Sequence, residues 1–448
     1  MPTMNIKPTI IAVATALFLG GTAFAQEAAV PAAPAPAADT SILGYLTSTS
    51  RLTGDWGGYR KILEDNQKLT ISGGYYGETM HVAKGGNSTN RGGGSDAHQY
   101  SGALSLSLKW QPIEGTEFYA QVYDYVGRGV AVESSAGTYQ YLGNWENSFN
   151  FLTMYSLWYK QKIGDHFWFQ IGKFDPFCTM ICDAYGDSLA ATIDNVCPSY
   201  LWTPNIPYGL YPYTPWNLMA GWKFSDTLEL KAITSYNRVD GRTFLGTNLH
   251  NHRDGRNDAS SEREYGLTSG LQLDWRLKLA SLFSESAETA HLTTTVRPGV
   301  WYDSSRIAWT DNDGNAKDGA WGAYLYLEQE LYKAGGGEDA KRGINLFGMV
   351  STNAPDRMRP AAPVEEYYSA GLVSYGMIPG RTSDKVGASL SRLEFADSKA
   401  SETLYELYYL CQVTPWAYAK PVLQYIDRPA YADSGHTVVA GLQFGITF

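Results

Sequence analysis

Beyond its first 25 residues, this chain of 448 has no stretch near the roughly 20 consecutive apolar residues a membrane helix needs. A helical membrane bundle is therefore excluded. Charge is sparse as well, at 18% Asp, Glu, Lys and Arg, and 45 acidic residues outnumber 35 basic ones for a net charge of −10. That balance does not suit a nucleic-acid partner, which calls for a basic surface. Cysteine occurs only four times. The Gly-x-Ser-x-Gly elbow of serine hydrolases is absent, and the seven histidines fall mostly in polar, loop-like stretches. Aromatic residues and glycine, by contrast, are plentiful: 14% of the chain is Phe, Trp or Tyr, with 32 Tyr and 46 Gly. With 44% hydrophobic residues, this composition excludes intrinsic disorder. A mean hydropathy of −0.28 leaves an exported β-protein, either soluble or a membrane barrel.

Export is read from the start of the chain. Lys7 precedes an apolar stretch at 10–19 broken only by Thr15, and Ala23-Phe24-Ala25 is a small-x-small cleavage site. Residues 1–25 are thus predicted to be a signal peptide. Residues 26–49, rich in Ala and Pro to residue 38, read as a flexible tether. Cys178, Cys182 and Cys197 crowd one irregular segment, whereas Cys411 stands alone in a strand-like run. An oxidising compartment permits a disulfide among the first three, of unreadable pairing, and free thiols stay open. Cys-x3-Cys is half a zinc site, but no His-x3-5-His partner follows, so neither metal nor cofactor is expected.

Period-two alternation dominates the remainder. In the stretch 100–110 the even positions are Tyr, Gly, Leu, Leu, Leu and Trp, and the odd positions are Ser, Ala, Ser, Ser and Lys. At the C-terminus Val438, Ala440, Leu442, Phe444, Ile446 and Phe448 share one face, opposite Thr437, Gly441, Gln443, Gly445 and Thr447. Strands place successive side chains on opposite faces, so each segment has an apolar and a small or polar side. Further segments begin near 69, 117, 152, 166, 217, 228, 265, 292, 320, 343, 367, 384, 402 and 417, making sixteen. A soluble sandwich and a membrane barrel both alternate. Aromatics near segment ends and small or large polar residues on the second face favour the barrel. Long and short connections also alternate, as outer loops and periplasmic turns do, although 277–291 and 333–342 are long for turns and 396–401 is short for a loop. The predicted fold class is all-β: a transmembrane antiparallel barrel over residues 68–448.

Residues 50–60, Ser-Arg-Leu-Thr-Gly-Asp-Trp-Gly-Gly-Tyr-Arg with Leu63 after them, closely resemble the opening motif of OprB-type carbohydrate-selective porins. Read residue by residue, the stretch 50–67 is a Gly-bracketed turn entering a short helix near 59–66, with Ile62 and Leu63 as its apolar stripe. Ile171-Gly172-Lys173-Phe174-Asp175, Asn345-Leu346-Phe347-Gly348 and the run from Glu402 to Pro429 look like the same family, so the resemblance spans 50–448. It implies a sixteen-stranded barrel that passes sugars across the outer membrane. Cys411, Lys420 and the three-cysteine loop depart from the family pattern and bear on which sugar is preferred.

A lumen selective for a neutral polyol needs weak hydrogen-bonding contacts and aromatic faces around a narrow waist. Strand parity and the resemblance together nominate Gln121, Trp168, Lys173, Asp175, Arg297, Tyr326, Glu328, Glu406 and Gln424 as pore-lining residues. Parity also puts His166 and Gln170 beside Trp168, and Glu402 beside Glu406. The aromatic, proline-stiffened loop 175–216 is expected to fold inward as a constriction, through Cys178, Cys182, Cys197, Tyr200 and Trp202. The expected partners are small sugars and outer-membrane lipid, and not nucleic acid, with the barrel a monomer or a homotrimer. A general diffusion porin is the main rival. An enzyme finds no motif here, and the 448 − 25 = 423 residues left after the predicted signal cannot supply 22 strands and a plug.

Overall fold

The computed structural model describes residues 44, 49–87, 98–127, 135–140, 142–143, 150–180, 214–236, 266–278, 292–304, 309–310, 315–334, 342–354, 364–396, 400–432 and 434–448. A single 3-10 turn, Trp56–Gly58, runs into helix α1 (Tyr59–Gln67), and a five-residue helix α2 spans Pro176–Met180. The first half of the barrel comprises β1 (Leu69–Lys84), β2 (His98–Trp110), β3 (Thr116–Gly127), β4 (Phe151–Ile163), β5 (Phe167–Lys173), β6 (Trp216–Ser225), β7 (Leu228–Tyr236) and β8 (Leu267–Leu277). It continues with β9 (Thr294–Asp303), passes a two-residue ribbon of β10 (Trp309–Thr310) and β11 (Ala316–Lys317), and resumes at β12 (Ala320–Lys333). The remainder is β13 (Gly343–Asn353), β14 (Val364–Tyr375), β15 (Lys385–Phe395), β16 (Ser401–Thr414), β17 (Ala417–Asp427) and β18 (His436–Thr447).

Apart from the ribbon, these strands form one closed antiparallel barrel of sixteen, each beside its sequence neighbour, with β18 pairing back onto β1. Closure leaves no sheet edge unpaired, which a strand in hydrocarbon requires. Every segment read from alternation is present and starts within three residues of its expected position. The connections that looked anomalous cause no slip in the strand count. At the ends of two of these connections, Ala334 N donates to Arg342 O at 2.8 Å and Phe395 N to Ala400 O at 3.1 Å. Both termini of the barrel reach the end that carries the shorter turns.

Side-chain direction follows parity. On β2, Leu106 is 52% exposed while its neighbour Ser105 is 6% exposed, so the leucines face outward and the serines inward. Trp110, Phe118, Trp222 and Trp275 ring the outer wall toward the terminal end, and Tyr100, Tyr236, Tyr302 and Trp321 ring it toward the other. Two aromatic girdles flanking a Leu-rich band are the outward signature of a membrane barrel.

Glycine and aromatic residues turn out to be one feature. At the closure seam, a Cβ on Gly73 would come within 2.5 Å of the Phe448 ring, and one on Gly77 within 2.6 Å of Phe444. On the inner wall, Gly299 and Gly387 make room for the rings of Tyr324 and Tyr408, where a Cβ would come to 2.0 Å in each case. A ring on one strand thus lies flat over a glycine on the next. The glycine gains packing that it cannot supply itself, and the ring stays against the wall instead of filling the lumen.

The opening motif anchors the end of the chain. Leu52 N donates to Thr447 O at 2.8 Å, and Gly73 and Phe448 exchange backbone hydrogen bonds. The Arg60 guanidinium stacks 4.1 Å over the Trp56 ring. Near the same end, the turn before β15 is tied by Arg381, whose Nε and Nη2 donate to Asp384 at 2.7 and 3.0 Å. Burial pulls the Asp384 carboxyl upward, but hydrogen bonds from Arg381, Tyr409 and the Gln412 amide outweigh it and hold the group below its usual range.

Candidate functional site

The inner wall carries a continuous polar belt across five adjacent strands. Lys231 on β7 places Nζ 2.9 Å from Asp274 Oδ2 on β8, and Arg297 on β9 places Nε 3.1 Å from Oδ1 of the same carboxylate. Gln272 joins it: its Nε2 donates to Asp274 Oδ1, and its Oε1 accepts from the Tyr324 hydroxyl at 2.8 Å. The Arg297 guanidinium lies 5.6 Å from the Tyr326 ring centroid. The Tyr326 hydroxyl donates to Glu328 Oε2 at 3.1 Å, and Asn345 Nδ2 donates to Glu328 Oε1 at 2.6 Å. Two cations and two carboxylates therefore alternate with neutral dipoles. Arg297 is only 1% exposed. A charge so enclosed is tolerated because Asp274 lies against it, and the alternation limits the net field across the lumen.

Arg297, Tyr326 and Glu328 thus come together in this belt, whereas strand parity assigns each only to the inner face of its own strand. Glu406 and Gln424 form a second pair on β16 and β17, with Gln424 Nε2 donating to Glu406 Oε2 at 2.7 Å. Gln121 lies apart on β3 and donates to Ser105 Oγ at 3.0 Å and to the Tyr123 hydroxyl at 3.1 Å. Trp168 occupies the inner face of β5, its ring against Gly221, its indole N–H on Glu229 and the Lys160 ammonium 4.3 Å above it. His166 does not share that face. It lies in the preceding turn and stacks on outward-facing Trp222, because parity lapses where the strand ends.

Lys173 and Asp175 hold the base of the following loop. Lys173 Nζ donates to Thr214 O at 2.7 Å and to Thr214 Oγ1 at 2.6 Å, and Asp175 Oδ2 accepts from the Tyr155 hydroxyl at 3.0 Å. These contacts tie the outgoing and returning ends of the loop to the wall. Its first residues then turn inward as α2. Met180 is fully buried, and its carbonyl accepts from Gln272 at 2.6 Å, which seats α2 on the belt. Residues 181–213 lie outside the described residues, and with them Cys182, Cys197, Tyr200, Trp202 and any disulfide. Of Cys178, only its place in α2 is described.

A second segment enters from the far side of the barrel, and sequence reasoning did not single it out. Residues 135–140 and 142–143, between β3 and β4, pack inside the wall formed by β15–β18 and β1. Ala136 and Leu142 join Met80, Val82, Leu404, Ile426 and Val439 in a buried apolar cluster. Glu402 is 0% exposed and accepts from Thr138 Oγ1 at 2.6 Å, Tyr139 N at 2.9 Å and Gln140 N at 3.1 Å. Gln424 donates to Leu142 O at 2.8 Å, and Thr437 Oγ1 donates to Ala136 O at 3.0 Å. The signal in the sequence was the stretch 135–143, Ser-Ala-Gly-Thr-Tyr-Gln-Tyr-Leu-Gly, which lacks charge although it lies within a long outer connection. Lys231, Gln272 and Asp274 were also missed, although on β8 Gln272 and Asp274 alternate with Leu271, Leu273 and Trp275.

Together the belt, α2 and the 135–143 segment leave a lumen lined by hydrogen-bond donors, acceptors and flat rings. Such a lining can exchange hydroxyl partners with a neutral polyol without fixing it in place. The family model described as carbohydrate-selective porin, OprB family, matches residues 91–448. Porin B of Pseudomonas aeruginosa is 23% identical over a 477-residue alignment that covers 97% of this chain and 95% of that protein. Among solved structures, the high-pH structure of Pseudomonas putida OprB superposes with a TM-score of 0.67 at 19% identity, covering 90% of this chain and 99% of that one. A Salmonella typhi OmpF complex with daunomycin gives a TM-score of 0.51 at 9% identity, covering 86% and 99%. At these identities the two structures speak for the shared barrel fold.

Proposed function

The chain belongs to the OprB family of carbohydrate-selective porins, residing in the bacterial outer membrane, and from that premise we propose how its interior selects its solute. The permeant class is glucose-like monosaccharides and short oligosaccharides, moving passively between the wall belt and the 135–143 segment. The observation that carries this reading is the belt itself, in which Lys231 and Arg297 are offset by Asp274 and Glu328. The path is polar without a dominant sign. Passage requires release: a dissociation constant near 1 mM corresponds to only about 4 kcal/mol of binding. A few contacts of about 1 kcal/mol each provide that, whereas one deep site would hold the sugar too long.

Gln121, Trp168, Arg297, Tyr326, Glu328, Glu406 and Gln424 are assigned to the path. Lys173 and Asp175 act on it indirectly, by holding the loop base. Each closed barrel is a complete route, so conduction does not depend on whether one barrel or three associate. The division of the chain follows the same reading: an export signal over 1–25, a tether over 26–49, the anchoring motif and helix over 50–67, and the barrel over 68–448. A channel, not an enzyme, is what this architecture and family point to.

Proteoliposome swelling tests the assignment. Glucose is expected to enter faster than a neutral polymer of matched size. Equal rates for the two would replace sugar selectivity with general diffusion while leaving the porin intact.

A further inference from the structure

We propose that Glu402 is a positioning residue that sets the aperture and sugar affinity of the pore by fixing the 135–143 segment inside the barrel. This rests on the sugar-porin reading and deepens it. Glu402 lies near the outer end of β16 with its side chain directed inward and fully enclosed. Among the described residues, the hydrogen-bond partners of its carboxylate all come from outer connections and none from a barrel strand. Thr138 Oγ1, Tyr139 N and Gln140 N belong to the segment after β3, and Ala430 N, 2.8 Å from Oε2, belongs to the connection after β17. A carboxylate that only stabilised the wall would bond its neighbours in the sheet. This one gathers backbone N–H groups from two loops more than 280 residues apart in the chain, and charge-assisted bonds of this kind are the stronger class.

The apolar cluster around Leu142 would hold the segment near the wall by itself. It is non-directional, however, and lets a loop slide. The hydrogen bonds to Glu402 choose which backbone atoms face the lumen, and the effect reaches the candidate sugar path through two contacts. With Thr138–Gln140 fixed, the Leu142 carbonyl comes to 2.8 Å from Gln424 Nε2. The same nitrogen donates to Glu406 at 2.7 Å, so the segment orients the Gln424–Glu406 pair. Gln140 Oε1 adds a further tie by accepting from Ser391 on β15.

Replacing Glu402 by Gln keeps the shape but puts an NH2 group against backbone N–H donors. The Glu402→Gln channel, checked for folding by heat-modifiable gel migration, is compared with wild type in planar bilayers. Its single-channel conductance is expected to rise, and the glucose concentration for half-block to rise roughly tenfold, equivalent to about 1.4 kcal/mol. Glu402→Asp, which retains the acceptors on a shorter arm, should recover part of both. Glu394→Gln is the control, since Glu394 pairs with Arg392 on the outward face at 3.3 Å, and it should behave as wild type. A folded Glu402→Gln barrel with wild-type conductance and block overturns the proposal. Should that variant fail to fold, Thr138→Val acts from the loop side only, removing the hydroxyl bond to Glu402 together with the bond Thr138 Oγ1 accepts from Gln140 N: a rise in conductance supports the latch, and no change overturns it. Where glucose blocks no channel, including wild type, the sugar reading fails alone, and the conductance comparison still decides the latch.

Discussion

The two flanks of the lumen are held by different physics. On the β7–β13 side, charged groups sit on rigid strands and neutralise each other across adjacent positions: Lys231 to Asp274, Asp274 to Arg297 and, through Tyr326, to Glu328. On the β15–β18 and β1 side, the inner surface is a loop segment seated on an apolar cluster and tied through the Glu402 carboxylate. The backbone positions that carry the charges on the first flank cannot move without breaking strand pairing. The second flank can shift by exchanging a few hydrogen bonds. Placement of the electrostatics is therefore a property of the barrel, and the width of the path is a property of the loop.

The largest expected effect comes from breaking the wall flank. Asp274→Asn leaves two enclosed cations without their shared carboxylate, and removing one partner of a buried pair costs about 3 kcal/mol or more. Urea unfolding in detergent should show that loss, and reversal potentials in a salt gradient should move toward anion preference. An unchanged midpoint would mean that solvent already screens the cluster. Next in size, Arg297→Ala should weaken glucose block several-fold, measured as the half-block concentration in bilayers. Unchanged block would remove Arg297 from the path. Gly299→Ala forces the Tyr324 ring off the wall, because the new Cβ would meet it at 2.0 Å. A modest fall in conductance is expected, and a rise would mean that the ring had not been lying flat.

The smallest effect lies outside both flanks. Asp384 is held below its usual range in the folded barrel. Its contribution to stability is therefore complete above the unfolded carboxylate value of about 3.9 and disappears as the pH falls through the lower folded value. Asp384→Asn should reduce the thermal stability of the barrel slightly at pH 7, with the difference from wild type vanishing in strong acid. Conductance should not change, since the turn is remote from both inner flanks.

Much of the barrel could be read from the chain because strand parity is a local property. Leu104, Leu106 and Leu108 declare the outer face of β2 with no knowledge of its neighbours, and the same holds for Arg297 and Trp301 facing inward on β9. Partnership is not local. Asp274 meets Arg297 only once the register between β8 and β9 is fixed across the long connection at 278–293. The 135–143 segment was harder still, since its seat is made by Glu402, Gln424 and Thr437, more than 250 residues further along the chain. Loop 175–216 drew attention through its aromatics and cysteines. The quieter stretch after β3 was marked only by a lack of charge, which alone does not distinguish a loop that turns inward from a polar loop that stays outside.

The central claim is that sugar passes by weak, saturable contact between a fixed charged wall and a latched loop. The most direct measurement is the conductance of single wild-type channels in planar bilayers as glucose is raised, against a neutral polymer of the same size. The account predicts block by glucose that saturates in the millimolar range, with no saturating block by the polymer. A decline that is shallow, non-saturating and the same for both solutes would contradict it.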